Sequence, residues 1–260
     1  MERCDALVIG GGASGSVAAL KLARAGLKTI LVERAHRIGG STTPKIDITQ
    51  DTGIHSFAKE LGIPLAWYSK KSRWLSRNSS FDLHSRIIDL FIKRGPDSDS
   101  LECGLARKAM DAGCELRTST SASVLKPFGA GPAQVGLESR RKKELLKADF
   151  VISADGSASK FAHSCIAPPG AKQRTSFQGF GVLAKGMGIE PETTHIFFDT
   201  EFAPGGYFYM CAGKHGEGVA AVVVEPSVAR GRSADWHFKR FVDANPVARS
   251  ALKRMKGARC

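Results

Sequence analysis

The stretch that most restricts the fold runs from residue 6 to residue 33. Ala6-Leu7-Val8-Ile9 is a short all-apolar run, the pattern of a strand buried on both faces in a parallel sheet. Gly10-Gly11-Gly12-Ala13-Ser14-Gly15 follows at once; Ala13, Val17 and Leu20 then repeat at i, i+4 and i+7, and Gly26 stands where a helix should be capped. Thr29 to Val32 is a second apolar strand, closed by Glu33. Strand, tight turn, helix and strand within about thirty residues make a βαβ unit of the dinucleotide-binding kind. Gly10 permits the turn, Gly12 lets a pyrophosphate approach the backbone, and Gly15 lets helix and strand pack closely. The amides that open the helix, around Ala13 and Ser14, then face phosphate charge. Glu33 is separated from Gly15 by 17 residues, which puts its carboxylate where an adenosine ribose offers hydroxyls and where a 2′-phosphate would be repelled. NADP is therefore disfavoured at this first site.

A chain of 260 residues that is 42% hydrophobic and 24% charged can bury a sizeable core and is too apolar for disorder. Its apolar stretches, such as Gly218 to Val224, fall far short of the ~20 residues a membrane span needs, and Ala6 to Ile9 is too short for a signal peptide. Six cysteines lie far apart with no CxxC, against a thiol-redox motif, a zinc ribbon or a disulfide scaffold. Reduced thiols in a cytoplasmic setting are expected. Seven histidines without paired helical spacing give no reason to expect a metal. The formal charge of +13 suits nucleic acid, an anionic membrane surface or an acidic ligand. The basic residues are scattered and no zinc-finger, RRM or basic-zipper signature is present, so nucleic acid is not an expected partner. The compact run Arg140 to Lys143 reads as a solvated hairpin tip.

Further along, Leu101 to Met110 is helix-like and Asp111-Ala112-Gly113-Cys114 ends it. Strand-like segments follow near Leu116 and Val124, then at Val135 to Leu137, Glu144 to Leu146 and Ala148 to Ser153, the last running into Ala154-Asp155-Gly156-Ser157. From Phe177 onward the strand-like runs are Phe177 to Leu183, Thr194 to Phe198, Tyr207 to Met210 and Val219 to Val224, a spacing that suggests an antiparallel sheet. Trp236 to Val242 resumes a helical pattern, stopped at Asp243 to Pro246.

Glu33-Arg34-Ala35-His36-Arg37-Ile38-Gly39-Gly40 is similar to the opening of two-dinucleotide-binding flavoproteins, and the meander ending in Ala-Asp-Gly is similar to the second flavin fingerprint of the para-hydroxybenzoate hydroxylase fold. The resemblance implies FAD, with Asp155 and Gly156 near its ribityl and pyrophosphate region and Arg34, Gly40 and Val124 as further cofactor contacts. Pro204-Gly205-Gly206-Tyr207-Phe208-Tyr209 resembles the Pro-x-Gly-Tyr-x-Trp segment of geranylgeranyl reductases, which use FAD to saturate isoprenoid double bonds. Tyr209 stands in the Trp place, and Cys211-Ala212 replaces the usual Phe-Pro. The segment is either an aromatic wall for a greasy chain or an aromatic strand packing its own core.

What this resemblance implies is an α/β chain: a Rossmann-like FAD-binding domain of the two-dinucleotide type over residues 1–165, interrupted by a substrate-domain insertion around 66–93, and an antiparallel-sheet substrate domain over 166–260. The implied activity is reduction of C=C bonds in a prenyl lipid. NAD(P)H or ferredoxin would be the electron donor and an anionic membrane surface, on the inner face of the cell membrane, the working place. A flavin monooxygenase of the same fold and an inactive flavoprotein fragment are the alternatives. Two departures bear on them. Thr43 to Thr49 stands where many members carry a Cys-Gly-Glu-like sequence, leaving Lys45, Asp47 and Thr49 as placeholders for flavin contacts. The third fingerprint, Gly-Asp-Ala-Ala-Gly, is not found among these residues, so the C-terminal flavin-binding segment is expected to be missing.

Overall fold

The computed structural model describes residues 1–40, 45–49, 52–126, 131–140, 142–156, 159, 177–253 and 256–259. The chain divides into two compact units: Met1–Pro44, Ala58–Pro64 and Arg94–Ala171 form the first, and Lys45–Phe57, Leu65–Lys93 and Lys172–Cys260 the second. The expected boundary between residues 165 and 166 lies outside the described residues.

In chain order the elements begin β1 (Glu2–Ile9), α1 (Ala13–Arg24), β2 (Thr29–Val32), β3 (Lys45–Thr49), α2 (Thr52–Glu60), β4 (Trp67–Leu75) and β5 (Ser80–Arg94). Then come α3 (Leu101–Asp111), β6 (Glu115–Arg117), β7 (Thr120–Lys126), β8 (Ala133–Ser139) and β9 (Lys143–Ser153). The rest are β10 (Gln178–Lys185), β11 (Thr193–Phe197), β12 (Tyr207–Ala212), β13 (Glu217–Val224), α4 (Ala234–Ala244), α5 (Pro246–Leu252) and β14 (Lys256–Arg259).

The first unit is built on a six-stranded sheet in the order β6-β2-β1-β9-β8-β7. β1 is parallel to β2 and to β9, and β2 to β6. β7, β8 and β9 form the antiparallel meander. Leu7 and Val8 are both fully buried, which is what an all-apolar run on a two-sided parallel strand requires. Gly26 closes α1 at φ +81 and donates to the Ala23 carbonyl. Ser100 caps α3 by accepting from the Cys103 amide at 3.3 Å. Of the run 140–143, Arg140 and Lys142 lie between β8 and β9, Arg141 is outside the described residues, and Lys143 opens β9 with Glu138 at 2.9 Å.

One detail differs from the sequence pattern. Glu144–Leu146 and Ala148–Ser153 are a single strand, β9, because Lys147 sits in register with Arg3 on one side and Gln134 on the other instead of breaking the ladder.

The second unit carries an eight-stranded sheet, β14-β10-β13-β12-β11-β4-β5-β3. It is antiparallel through β10, β13, β12 and β11, but β11 and β4 run parallel. β4 and β5 were visible in the sequence only as an insertion, since Lys70, Lys71 and Arg73 mask any apolar alternation; Arg73 instead makes a cross-strand bidentate pair with Asp82 at 2.8 and 2.9 Å. β3 occupies the stretch of Lys45, Asp47 and Thr49, whose side chains, like Thr43 and Pro44, lie outside the described residues. Alternation along β12 splits its side chains between two faces. Phe208, Met210 and Ala212 join the core with Phe238 and Phe241 of α4, while Tyr207, Tyr209 and Cys211 face the other way, toward Phe91, Ile196 and Val219.

Candidate functional site

In the first unit the chain leaves β1 for β2 on one side, while β1's other neighbour, β9, is reached much later. The order reverses between β1 and β9, and in open α/β sheets ligands bind outside the carboxyl ends of the strands at such a switch point. Two turns meet at that end. The Ala154 amide donates to the Ile9 carbonyl at 2.8 Å. Gly10 has φ +105, and a Cβ there would lie 2.3 Å from the Ala154 oxygen. A Cβ on Gly15 would lie 1.8 Å from the Gly10 oxygen, so α1 can press on the turn only as glycine allows. Gly12 is different: nothing described lies within 4 Å of the Cβ position.

Glu33 is only 9% exposed, and its two oxygens are held apart by two backbone donors. Oε2 accepts from the Gly11 amide and Oε1 from the Ala35 amide, each at 2.8 Å. Each oxygen keeps a lone pair for a further donor, such as a ribose hydroxyl. The Thr120 amide that opens β7 donates to the Glu33 carbonyl, so β7 starts beside the acid. Val124 lies on that strand in register with Val135, and its side chain is outside the described residues. Arg34 and Gly40 are exposed. It is Gly39, rather than Gly40, that the fold demands as glycine, since it has φ +69 and a Cβ there would lie 2.1 Å from the Gly95 oxygen.

On the β9 side, Asp155 Oδ1 accepts from Ser153 Oγ at 2.7 Å and from Ser159 Oγ at 2.5 Å. Gly156 follows at φ +91, exposed and with open space around its Cβ position. The structure thus brings Gly10, Gly12, Ala13, Ser14, Gly15, Glu33, Asp155 and Gly156 to one end of one sheet. Sequence reasoning missed Gly11 as the donor to Glu33, Gly39 as the strained glycine, and the two serines that hold Asp155. The Ser-x-Asp-x-x-x-Ser spacing was the available signal for the serines.

Whether this crevice suits FAD turns on the start of α1. Its N-cap, Gly12, contributes no side-chain cap and the first turn carries no acidic residue. The opening amides and the positive end of the helix dipole are therefore left for an anion. A pyrophosphate suits those donors in charge, and nothing described stands within 4 Å of the Gly12 Cβ position to keep it off.

In the second unit, Pro204 and Gly205 line a cavity of about 1100 Å³. Gly205 has φ +70 and a Cβ there would lie 2.6 Å from Glu225 Cβ; a Cβ on Gly206 would lie 2.0 Å from the Val223 oxygen. Both glycines thus serve the approach of the turn to β13. Tyr209 is 6% exposed within the second face of the sheet and Tyr207 is half-buried at its edge, their rings 6.1 Å apart. Neither tyrosine is among the residues lining that cavity.

The doubly wound sheet with a glycine turn and an open helix start defines a dinucleotide-binding protein. The chain belongs to the FAD binding domain family, whose model matches residues 3–245, and FAD is its cofactor. It is 29% identical over 244 residues to digeranylgeranylglycerophospholipid reductase 2 of Methanothermobacter thermautotrophicus, covering 92% of this chain and 62% of that protein. It is 27% identical over 225 residues to the geranylgeranyl diphosphate reductase of Rhodobacter capsulatus, covering 82% and 52%. Among solved structures it resembles a geranylgeranyl bacteriochlorophyll reductase-like protein from Thermoplasma acidophilum, with a TM-score of 0.78, 21% identity and 98% of this chain against 64% of that one. The chain spans between half and two thirds of the length of these relatives. Among the described residues no helix is long and apolar enough to cross a membrane.

Proposed function

We propose that this chain is the flavin-holding and substrate-contacting portion of an FAD-dependent oxidoreductase that reduces C=C bonds of a prenyl, geranylgeranyl-type lipid. The observation that carries the reading is the uncapped start of α1 at the β1/β9 switch point, in a chain aligned over 92% of its length with a digeranylgeranylglycerophospholipid reductase. When bound, FAD supplies the two electrons of the reduction. The residues of the chain hold and orient. Gly10 to Gly15, with the Ala13 and Ser14 amides, receive the pyrophosphate; Glu33 takes the adenosine ribose; Asp155 and Gly156 take the ribityl side; Arg34, Gly40 and Val124 add contacts along the adenosine half. Within the Pro204 to Tyr209 segment it is Tyr207, half-buried at the sheet edge, that offers an aromatic surface to a prenyl chain, while Phe208 and Tyr209 pack inside the unit. NAD(P)H or ferredoxin re-reduces the flavin, and the charge of +13 draws the protein to an anionic membrane surface, where each basic residue near the bilayer contributes about 1 kcal/mol.

The test has two stages. The purified chain should take up added FAD, and Gly12→Val should abolish uptake by excluding the pyrophosphate. Incubated anaerobically with FAD, a reductant and digeranylgeranylglycerophospholipid, it should yield product with two more hydrogens per saturated bond. Absence of flavin uptake would sink the cofactor assignment; flavin uptake with no gain of hydrogen would sink the reductase reading. Under air, gain of oxygen instead would mark a monooxygenase, whose fold this chain shares with aklavinone-11 hydroxylase at 18% identity and a TM-score of 0.68.

A further inference from the structure

Large apolar side chains left in water mean little when scattered and mark an interaction surface when gathered. In the second unit they are gathered. Leu75 of β4 pairs with Ser80 of β5 and with Phe197 of β11, Phe197 with Phe208 of β12, and Phe208 with Val222 of β13, whose partner on β10 is Phe180. That rung lies at one end of the eight-stranded sheet. Phe81, 54% exposed, Phe198, 40%, and Phe177, 60%, lie beside it or just beyond it, and Val228, 48%, sits on the turn that leaves β13. Leu83, two positions further along β5 on the face of Phe81, is exposed as well. Val247, the other large apolar side chain exposed among the described residues of this unit, stands off the sheet on α5.

The rings at that end form one row. Phe81 stacks on Trp74 at 5.5 Å, Trp74 on Phe198 at 5.3 Å, and the Phe198 ring lies 6.2 Å from that of Tyr207. Trp74 Nε1 donates to Ser72 Oγ at 3.0 Å, so its polar atom is satisfied within the sheet. The opposite end of the sheet is built from charge instead. There Lys70 and Lys214 both pair with Glu192, at 3.1 and 3.6 Å, and both lie over the Tyr68 ring.

Charge indicates what covers the aromatic end. Phe198, Val228, Arg230 and Arg232 border one cavity with Arg77 and Arg240. The acids there are engaged: Asp199 by Arg77 at 2.8 Å, Glu201 by Arg240 at 2.7 Å, and Glu225 by Ser227 at 2.6 Å. Arg230 and Arg232 have no carboxylate partner among the described residues, which leaves cations in surplus beside the row. A second copy docked through the same end would set these arginines face to face, on chains that each carry +13, so self-association is opposed. A bilayer of anionic lipid meets both demands, since its headgroups take the arginines and its interface takes the rings.

We propose that this end of the sheet seats on an anionic lipid bilayer, with Phe81, Phe177, Phe198 and Val228 entering the interface and Arg230 and Arg232 meeting headgroup phosphates. The proposal rests on the membrane reading above and names the surface that makes the contact.

Flotation with vesicles of phosphatidylglycerol and phosphatidylcholine, compared with phosphatidylcholine alone, tests it. The parent should bind the anionic vesicles, and the doubly substituted Phe81→Ser, Phe198→Ser chain should bind them at least about tenfold more weakly. Arg230→Gln with Arg232→Gln should weaken binding by about tenfold at low salt and change little at high salt. Val247→Ser should leave binding as in the parent. Depth is read independently in the Trp67→Phe, Trp236→Phe chain, whose remaining tryptophan is Trp74: lipid brominated on its acyl chains should quench the emission. If the parent binds while the phenylalanine variant binds equally well, or Trp74 is not quenched, the contact lies elsewhere; the proposal is then overturned and the membrane reading kept. A parent that binds neither kind of vesicle overturns both. A dimer lost in the phenylalanine variant with vesicle binding unchanged would make this end an interface between copies and likewise overturn the proposal. None of these readouts depends on reductase activity.

Discussion

Two glycine turns, one in each unit, look alike in sequence and differ in what they leave open. At residues 10–15, Gly10 and Gly15 are pressed against backbone, with Cβ positions 2.3 and 1.8 Å from carbonyl oxygens. At residues 205–206 the same holds, at 2.6 Å from Glu225 Cβ and 2.0 Å from the Val223 oxygen. The first turn has one more glycine, Gly12, with nothing described within 4 Å and an uncapped helix behind it. The second has none. A ligand can therefore reach peptide amides directly in the first unit, whereas the glycines of the second let the chain approach only itself. Glycine in a functional motif is thus two residues in one: some positions let the chain touch itself, and only the open ones let it touch something else.

The largest effects should fall where the chain touches itself. Gly15→Val and Gly206→Val each drive a side chain into backbone that cannot yield, and each should cost about 4 kcal/mol or more. Hydrogen exchange should locate the damage: β1, β2 and β9 lose protection in the first variant, β12 and β13 in the second. Equal loss in both units from either variant would break the comparison, because the units would then melt as one. Somewhat smaller is the effect of Glu102→Ala in the first unit. Glu102, 1% exposed, takes Arg94 at 2.6 Å and the Gly95 amide at 3.2 Å, and Gly95 is the residue against which Gly39 packs. Removing the carboxylate takes one charged partner from Arg94 and the acceptor from the Gly95 amide, at about 2 kcal/mol, and denaturant melts should show the change in midpoint.

The buried thiols give a pH test of the same contrast. Burial pushes Cys4 and Cys114 of the first unit up to about 11, and Cys211 of the second up to about 12. A thiol whose folded pKa is raised keeps its full contribution to stability below its unfolded value, near 9, and loses it as pH rises through the folded value. Alkaline titration above pH 9 should therefore weaken the first unit more steeply, since two thiols act there against one. Iodoacetamide at pH 8 should leave all three unmodified in the folded chain; rapid labelling of any of them would contradict its burial.

What was legible in the sequence follows the same division. The β1-turn-α1-β2 unit could be read because each residue type there answers a local demand, and the turn at Ala154 and Asp155 packs against Gly10 at the switch point. Gly39 could not be told from Gly40, since what distinguishes them is Gly95, 56 positions away in the chain. The β4–β5 ribbon was hidden by its charge: Arg73 and Asp82 stabilise each other across strands, and a hydrophobic pattern is blind to such pairs. Pro204 to Tyr209 could be recognised by likeness but not by physics. Its glycines prove to serve β13, and Tyr209, predicted to touch substrate, packs within the sheet's own cluster.

The smallest change in stability should come with the sharpest change in binding. Gly12→Ser places a hydroxyl at the N-cap of α1, where it can accept from an opening amide and stabilise the helix by a few tenths of a kcal/mol, up to about 0.5. The same hydroxyl takes a donor that a pyrophosphate would use and fills the space its approach needs. Tm should hold or rise slightly while FAD affinity falls about tenfold, roughly 1.4 kcal/mol, in a fluorescence titration of the flavin. The opposite signs are the point, since Gly10 and Gly15 variants lose fold and flavin together. Were Gly12→Ser to bind FAD as tightly as the parent, the open position would not be where the phosphates sit, and the distinction between glycines that serve the fold and glycines that serve the ligand would fail at its clearest case.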